Sequence, residues 1–109
     1  MRKWKLIPLV AGAYLASHLF GQGAPKGDIS RGKEVFLDNC DQCHDAYSKD
    51  EKVGPGLKGI KDGKLPDGGP ATREKLLDLI NTGPAEMPSF KDRLTEQQKE
   101  DVVAFVLTL

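Results

Sequence analysis

The run Cys40-Asp41-Gln42-Cys43-His44 restricts what this chain can become more than any other stretch. It is a C-x-x-C-H sequence, the spacing that reads as covalent attachment of a c-type haem. On a helical backbone, residues three and four apart share a face, so Cys40 lies on the side of Cys43 and His44. Two thiols placed there can bond the two vinyl groups of one flat porphyrin while the adjacent imidazole coordinates its iron. A dithiol redox couple and half of a zinc site use the same C-x-x-C pair. A structural zinc site wants four protein ligands, and the chain holds 2 Cys and 2 His in all, with His18 inside an apparent leader. A thioredoxin-like site wants a preceding strand and a βαβ frame, and no strand-like alternation flanks the motif. One covalently attached haem c is the expected cofactor.

The leader is Met1-Arg2-Lys3-Trp4-Lys5, then a mostly apolar stretch from Leu6 to Phe20, then Gly21-Gln22-Gly23-Ala24. A basic start, an apolar middle short for a bilayer span and a small-residue exit make the layout of a secretory signal. Residues 1–23 are expected to be that signal, cut after Gly23. The alternative is an uncleaved membrane anchor, against which stand Pro8 and the brevity of the run. No cysteine sits near the boundary, so a lipoprotein is not expected. Removing Arg2, Lys3 and Lys5 turns an even balance of 16 basic and 16 acidic side chains into a net of about −3. That excludes the strong basic excess of a nucleic-acid binder.

Residues 24–109 suffice for one domain, of a size at which side chains alone supply a thin core. Its aromatics are Phe36, Tyr47, Phe90 and Phe105. A large apolar macrocycle bonded to Cys40 and Cys43 would supply what is missing, whereas a disulfide between them would close too short a loop to add much.

Asp28 is placed to cap a helix whose Ile29, Gly32, Phe36 and Cys40 fall on one face, and Gly32 marks a close approach by another element. Residues 46–69 lack sustained periodicity and are dense in Gly, Pro, Lys and Asp. A long ordered loop is expected there, forming a wall for the flat cofactor with Pro55 and Leu57 as its apolar contacts. Thr72 can cap a second helix with Leu76, Leu77 and Ile80 inward, and Gly83-Pro84 stops it. Thr95-Glu96-Gln97-Gln98 reads as a capping box. It opens a last helix with Val102, Phe105, Val106 and Leu109 buried and Glu100 and Asp101 facing water.

Beyond the leader there is one methionine, Met87, and no second histidine. A lone Met is more often core filler. This one sits among Glu86, Pro88 and Ser89 rather than in an apolar stripe, and Pro88 pushes it towards extended backbone. Met87 is therefore the candidate sixth ligand opposite His44. A His/Met pair raises the reduction potential and leaves no place for oxygen or peroxide.

Taken together, Gly32-x-x-x-Phe36-x-x-x-Cys40-x-x-Cys43-His44, Gly54-Pro55-x-Leu57, Met87-Pro88-x-Phe90 and a C-terminal helix with Phe105 resemble a class I mono-haem c-type cytochrome of the small bacterial kind. The resemblance covers nearly all of residues 24–109. It implies an all-α fold of about three to five short helices wrapped around the haem, with the first and last helices crossing at Gly32 and Phe36 near Val102 and Phe105. It also implies a hydrogen bond from His44 Nδ1 to the Pro55 carbonyl, which would orient the ring, and haem attachment outside the cytoplasm. Two features depart from the pattern. The only tryptophan, Trp4, lies in the leader, so Tyr47 or a loop lysine would have to replace a Trp contact to a haem propionate; and the Gly/Pro pattern of residues 61–70 matches no particular subfamily.

The expected function is single-electron transfer by an exported, periplasmic, monomeric carrier between redox protein partners, without catalysis of its own. Lys49, Lys52, Lys58, Lys61 and Lys64 against Asp50, Glu51 and Asp62 make a mildly basic rim that could steer it to an acidic partner. The rival readings are a haem subunit of a larger oxidoreductase and a five-coordinate peroxidase or gas-binding protein with Met87 merely structural.

Overall fold

Residues 26–109 are described by a computed structural model, and the expected signal or anchor at residues 1–23 lies outside them. The described residues form helices α1 (Ile29–Asn39), α2 (Arg73–Thr82) and α3 (Glu96–Val106), with a 3₁₀ turn at Ile60–Asp62. No strand occurs among them beyond an isolated bridge between Lys64 and Pro70.

Each helix starts where its local chemistry predicts. The Asp28, Thr72 and Thr95 side chains accept from the N–H groups of Arg31, Lys75 and Gln98, each satisfying one donor the helix cannot. The Gln98 side chain returns to the Thr95 N–H at 2.9 Å and completes the capping box. Gly83 ends α2 in the left-handed region, φ 63.

The first and last helices pack against each other. Gly32 makes this contact possible: a Cβ there would strike the Asp101 carbonyl and come within 2.9 Å of Phe105 Cβ. Phe36 and Phe105 meet beside it with ring centroids 5.4 Å apart and planes tilted by 58°. Such a pair contributes ~1 kcal/mol beyond the area it buries. Val35, Phe36, Val102, Val103, Phe105 and Val106 form the centre of the core, with Leu76, Phe90, Leu94 and Leu109 around them.

Two expectations about exposure are corrected. Ile29, expected on the packed face of α1, is 52% exposed, and Val35 is buried in its place. Glu100 and Asp101, expected to face water, are 8% and 2% exposed, and Lys99 is 2% exposed. The reason is that α3 is covered on more than one side and its charges are paired where they are buried. Lys99 Nζ donates to the Lys91 carbonyl and to Glu96, both at 2.9 Å. Glu100 takes a two-pronged contact from Arg73 at the start of α2. Asp101 accepts from the Asp28 N–H and Gln97 Nε2 on one oxygen, each at 2.8 Å, and from Arg31 Nε on the other at 3.0 Å.

The segment between α1 and α2 is ordered by contacts distant in sequence. The Gly59 and Lys61 N–H groups donate to the Leu109 carbonyl at 2.9 and 3.3 Å, and Ile60 is 2% exposed. Ala46, Leu65 and Ala71 are buried with it.

Candidate haem site

The end of α1 delivers the C-x-x-C-H run as a single tight turn. The Cys40 and Asp41 N–H groups both donate to the Phe36 carbonyl, and Cys43 and His44 N–H both donate to the Cys40 carbonyl at 3.1 and 3.0 Å. That last contact preserves one helical turn between Cys40 and His44, so thiols and imidazole stay on one side. Both cysteines are half-buried. Burial first, then Cys43 and Asp41 nearby, push the Cys40 thiol up to about 11. Among the described residues no three His, Cys, Asp or Glu side chains gather as metal donors.

His44 is held by the loop that follows it. Gly54 N–H donates to the Cys43 carbonyl and Leu57 N–H to the Asp45 carbonyl, each at 2.8 Å, so residues 54–57 run back along the motif. This brings the Pro55 carbonyl 2.8 Å from His44 Nδ1. A carbonyl only accepts, so Nδ1 is the donor, and in the neutral ring Nε2 then keeps its lone pair. Gly54 lies flat against the ring: a Cβ there would fall 2.5 Å from Cε1 and 2.9 Å from Nδ1. The implied His44–Pro55 contact is therefore present, and Gly54 is the further residue that permits it.

Met87 follows a turn in which its N–H donates to the Pro84 carbonyl at 3.1 Å. It is half-buried and packs on the same core as Cys40, Leu57, Leu77 and Ile80. Pro55 is also half-buried. Sequence reasoning passed over Asn81, whose side-chain oxygen is buried and meets no donor among the described residues. It sits at the end of α2, next to the Met87 turn, and no periodicity flagged it because its backbone role and its side-chain role are separate. Lys49, Lys52, Lys58, Lys61 and Lys64 are all exposed, as is Tyr47.

Two thiols and an imidazole with its Nε2 free stand on one turn, with a thioether and apolar walls on the same core. This set of residues could hold a covalently bound haem.

The chain matches over residues 27–106 the family described as cytochrome c oxidase, cbb3-type, subunit III. It is 32% identical to a cytochrome c6 of Nostoc sp. over 94% of this chain and 91% of that one. It is 35% identical to the cytochrome bc1 complex cytochrome c subunit of Mycobacterium leprae over 75% of this chain. The chain spans about a quarter of that relative's length, 27%. Among solved structures it superimposes on cytochrome c6 of the diatom Phaeodactylum tricornutum with a TM-score of 0.59 and 29% identity, over 75% of this chain and 93% of the other.

Proposed function

Since the chain belongs to the c-type cytochrome family, with haem c as its cofactor and haem-based electron transfer as its activity, we propose that Cys40 and Cys43 hold the haem by two thioether bonds and that His44 and Met87 are its axial ligands. The bound haem supplies a one-electron Fe(II)/Fe(III) couple. Everything else is positioning by the chain. The Pro55 carbonyl fixes the His44 tautomer and ring plane and raises its donor strength. Pro55 and Leu57 line the pocket and keep water from the porphyrin face. Met87 would hold the iron through its thioether, which would favour outer-sphere electron transfer over chemistry at the iron. The observation that carries this reading is the 2.8 Å contact between His44 Nδ1 and Pro55, which supports Nε2 as the ligating atom.

The carrier works in an exported compartment, the periplasm, and meets its donor and acceptor transiently. The exposed lysines of residues 49–64 favour an acidic partner surface through long-range attraction. No helix among the described residues is long and apolar enough to cross a membrane. The likeness to a cytochrome c subunit of a bc1 complex supports a second reading, a haem subunit of a larger oxidoreductase, which stable co-purification with a membrane complex would favour.

Met87→Ala tests the ligand assignment. The variant is expected to bind carbon monoxide rapidly in its ferrous form and to titrate at a lower potential. A ferrous form as closed to carbon monoxide as the parent protein would remove Met87 from the iron.

A further inference from the structure

The carbonyls of Ile80 and Asn81 belong to the last turn of α2, where a helix lacks donors of its own. Both are taken by residues that follow Met87. The Phe90 N–H donates to the Ile80 carbonyl at 2.7 Å, and the Ser89 hydroxyl donates to the Asn81 carbonyl at 2.6 Å. Ser89 Oγ also accepts from the Lys91 N–H at 3.3 Å. On the other flank, Gly83 turns the chain so closely that a Cβ there would lie 2.5 Å from Ser89 N and 2.8 Å from the Met87 carbonyl oxygen.

Between these two fastenings the backbone is bent sharply. Ala85 has φ 55, the one non-glycine among the described residues in the left-handed region. A residue with a Cβ holds that conformation only where its surroundings over-determine it, and such outliers gather at functional sites. Here the surroundings are the two attachments to α2. Phe90 is buried and secures the far end by packing, whereas Ser89 is exposed and contributes through its hydroxyl.

We propose that Ser89 is a positioning residue for Met87: its hydroxyl, closed on the Asn81 carbonyl, fastens the strained 84–89 turn to α2 and sets how firmly the Met87 thioether stays on the iron. Without it, the turn is held beyond Met87 by Phe90 alone, Ala85 relaxes, and the thioether spends more time away. This rests on Met87 being the sixth ligand.

The test uses the full-length protein matured with its haem. Ser89→Ala and Ser89→Val remove the hydroxyl, and Ser89→Thr keeps it. Helical circular dichroism and haem content report folding; midpoint potential, the ferric thioether-to-iron charge-transfer band and carbon monoxide binding by the ferrous form report the ligand. The Ala and Val variants are expected to keep their helicity and haem, shift to lower potential, lose band intensity, and raise the fraction open to carbon monoxide about fivefold, the scale of one hydrogen bond. Thr should return all three readouts to those of the parent. Ala and Val variants identical to the parent, alongside a Met87→Ala protein that does bind carbon monoxide, would leave Met87 as ligand and overturn the role of Ser89. Loss of helicity in Ala and Val but not Thr would make Ser89 a folding residue and overturn it equally. A Met87→Ala protein closed to carbon monoxide would overturn the ligand assignment and the positioning role together.

Discussion

Asp101 joins three parts of the chain through one carboxylate: the cap residue of α1, the first turn of α1 through Arg31, and its own helix through Gln97. Burial alone would push its pKa up; the Arg31 guanidinium, the Asp28 N–H and Gln97 outweigh burial and hold it below the usual carboxylate range. A group depressed in the folded state contributes stability above its unfolded value, ~3.9, and that contribution is lost as pH falls through the lower folded value. The urea midpoint is therefore expected to fall as the medium is acidified below about pH 4, and Asp101→Asn should flatten that fall. An unchanged acid limb in the variant would show that Asp101 does not titrate with folding. Nothing in the sequence marked Asp101 or Glu100 for burial, because their partners before α1, in α1 and in α2 lie 73, 70 and 27 positions away. The Cys40, Cys43 and His44 cluster was legible because its chemistry needs only local spacing. The partner of Asn81 was not, because a helix-end carbonyl meeting a hydroxyl eight residues on leaves no periodic trace.

The contact between α1 and α3 turns on one missing side chain. Gly32→Ala would set a Cβ against the Asp101 carbonyl and Phe105 Cβ, neither of which is the free end of a flexible chain. It is expected to destabilise the protein by about 1–3 kcal/mol, even though alanine is the better helix former by up to ~1 kcal/mol. Urea denaturation at neutral pH checks this; an equal or higher midpoint would show that the helices have room to separate. All three helices were readable from their first turns, since Asp28, Thr72 and Thr95 each cap within three residues. The stretch from Ala46 to Gly69 was readable only as a loop. Its buried Ile60 and Leu65 are placed by the Leu109 carbonyl and by a small bridge at Lys64 and Pro70, not by any repeat of their own.

Among the described residues three aromatic rings are buried, Phe36, Phe90 and Phe105, and the rest of the apolar core is Val, Leu, Ile and Ala. Tyr47 is 63% exposed and adds nothing to that core. A domain of this size sits near the limit at which side chains alone supply a sufficient core, and the C-x-x-C-H turn offers two thiols to bond an added apolar group. A bound haem would serve twice, as the couple that carries the electron and as an apolar body added to this core, on which Leu57, Ile80 and Met87 already pack. The most direct measurement is the intact mass of the purified protein, taken with the pyridine haemochrome spectrum and set beside the Cys40→Ala, Cys43→Ala double variant. The parent should carry the added mass of one porphyrin and a c-type haemochrome, and the double variant should be colourless and largely unfolded. A parent that weighs only what its amino acids weigh, or a double variant that folds with full helicity, would contradict the account.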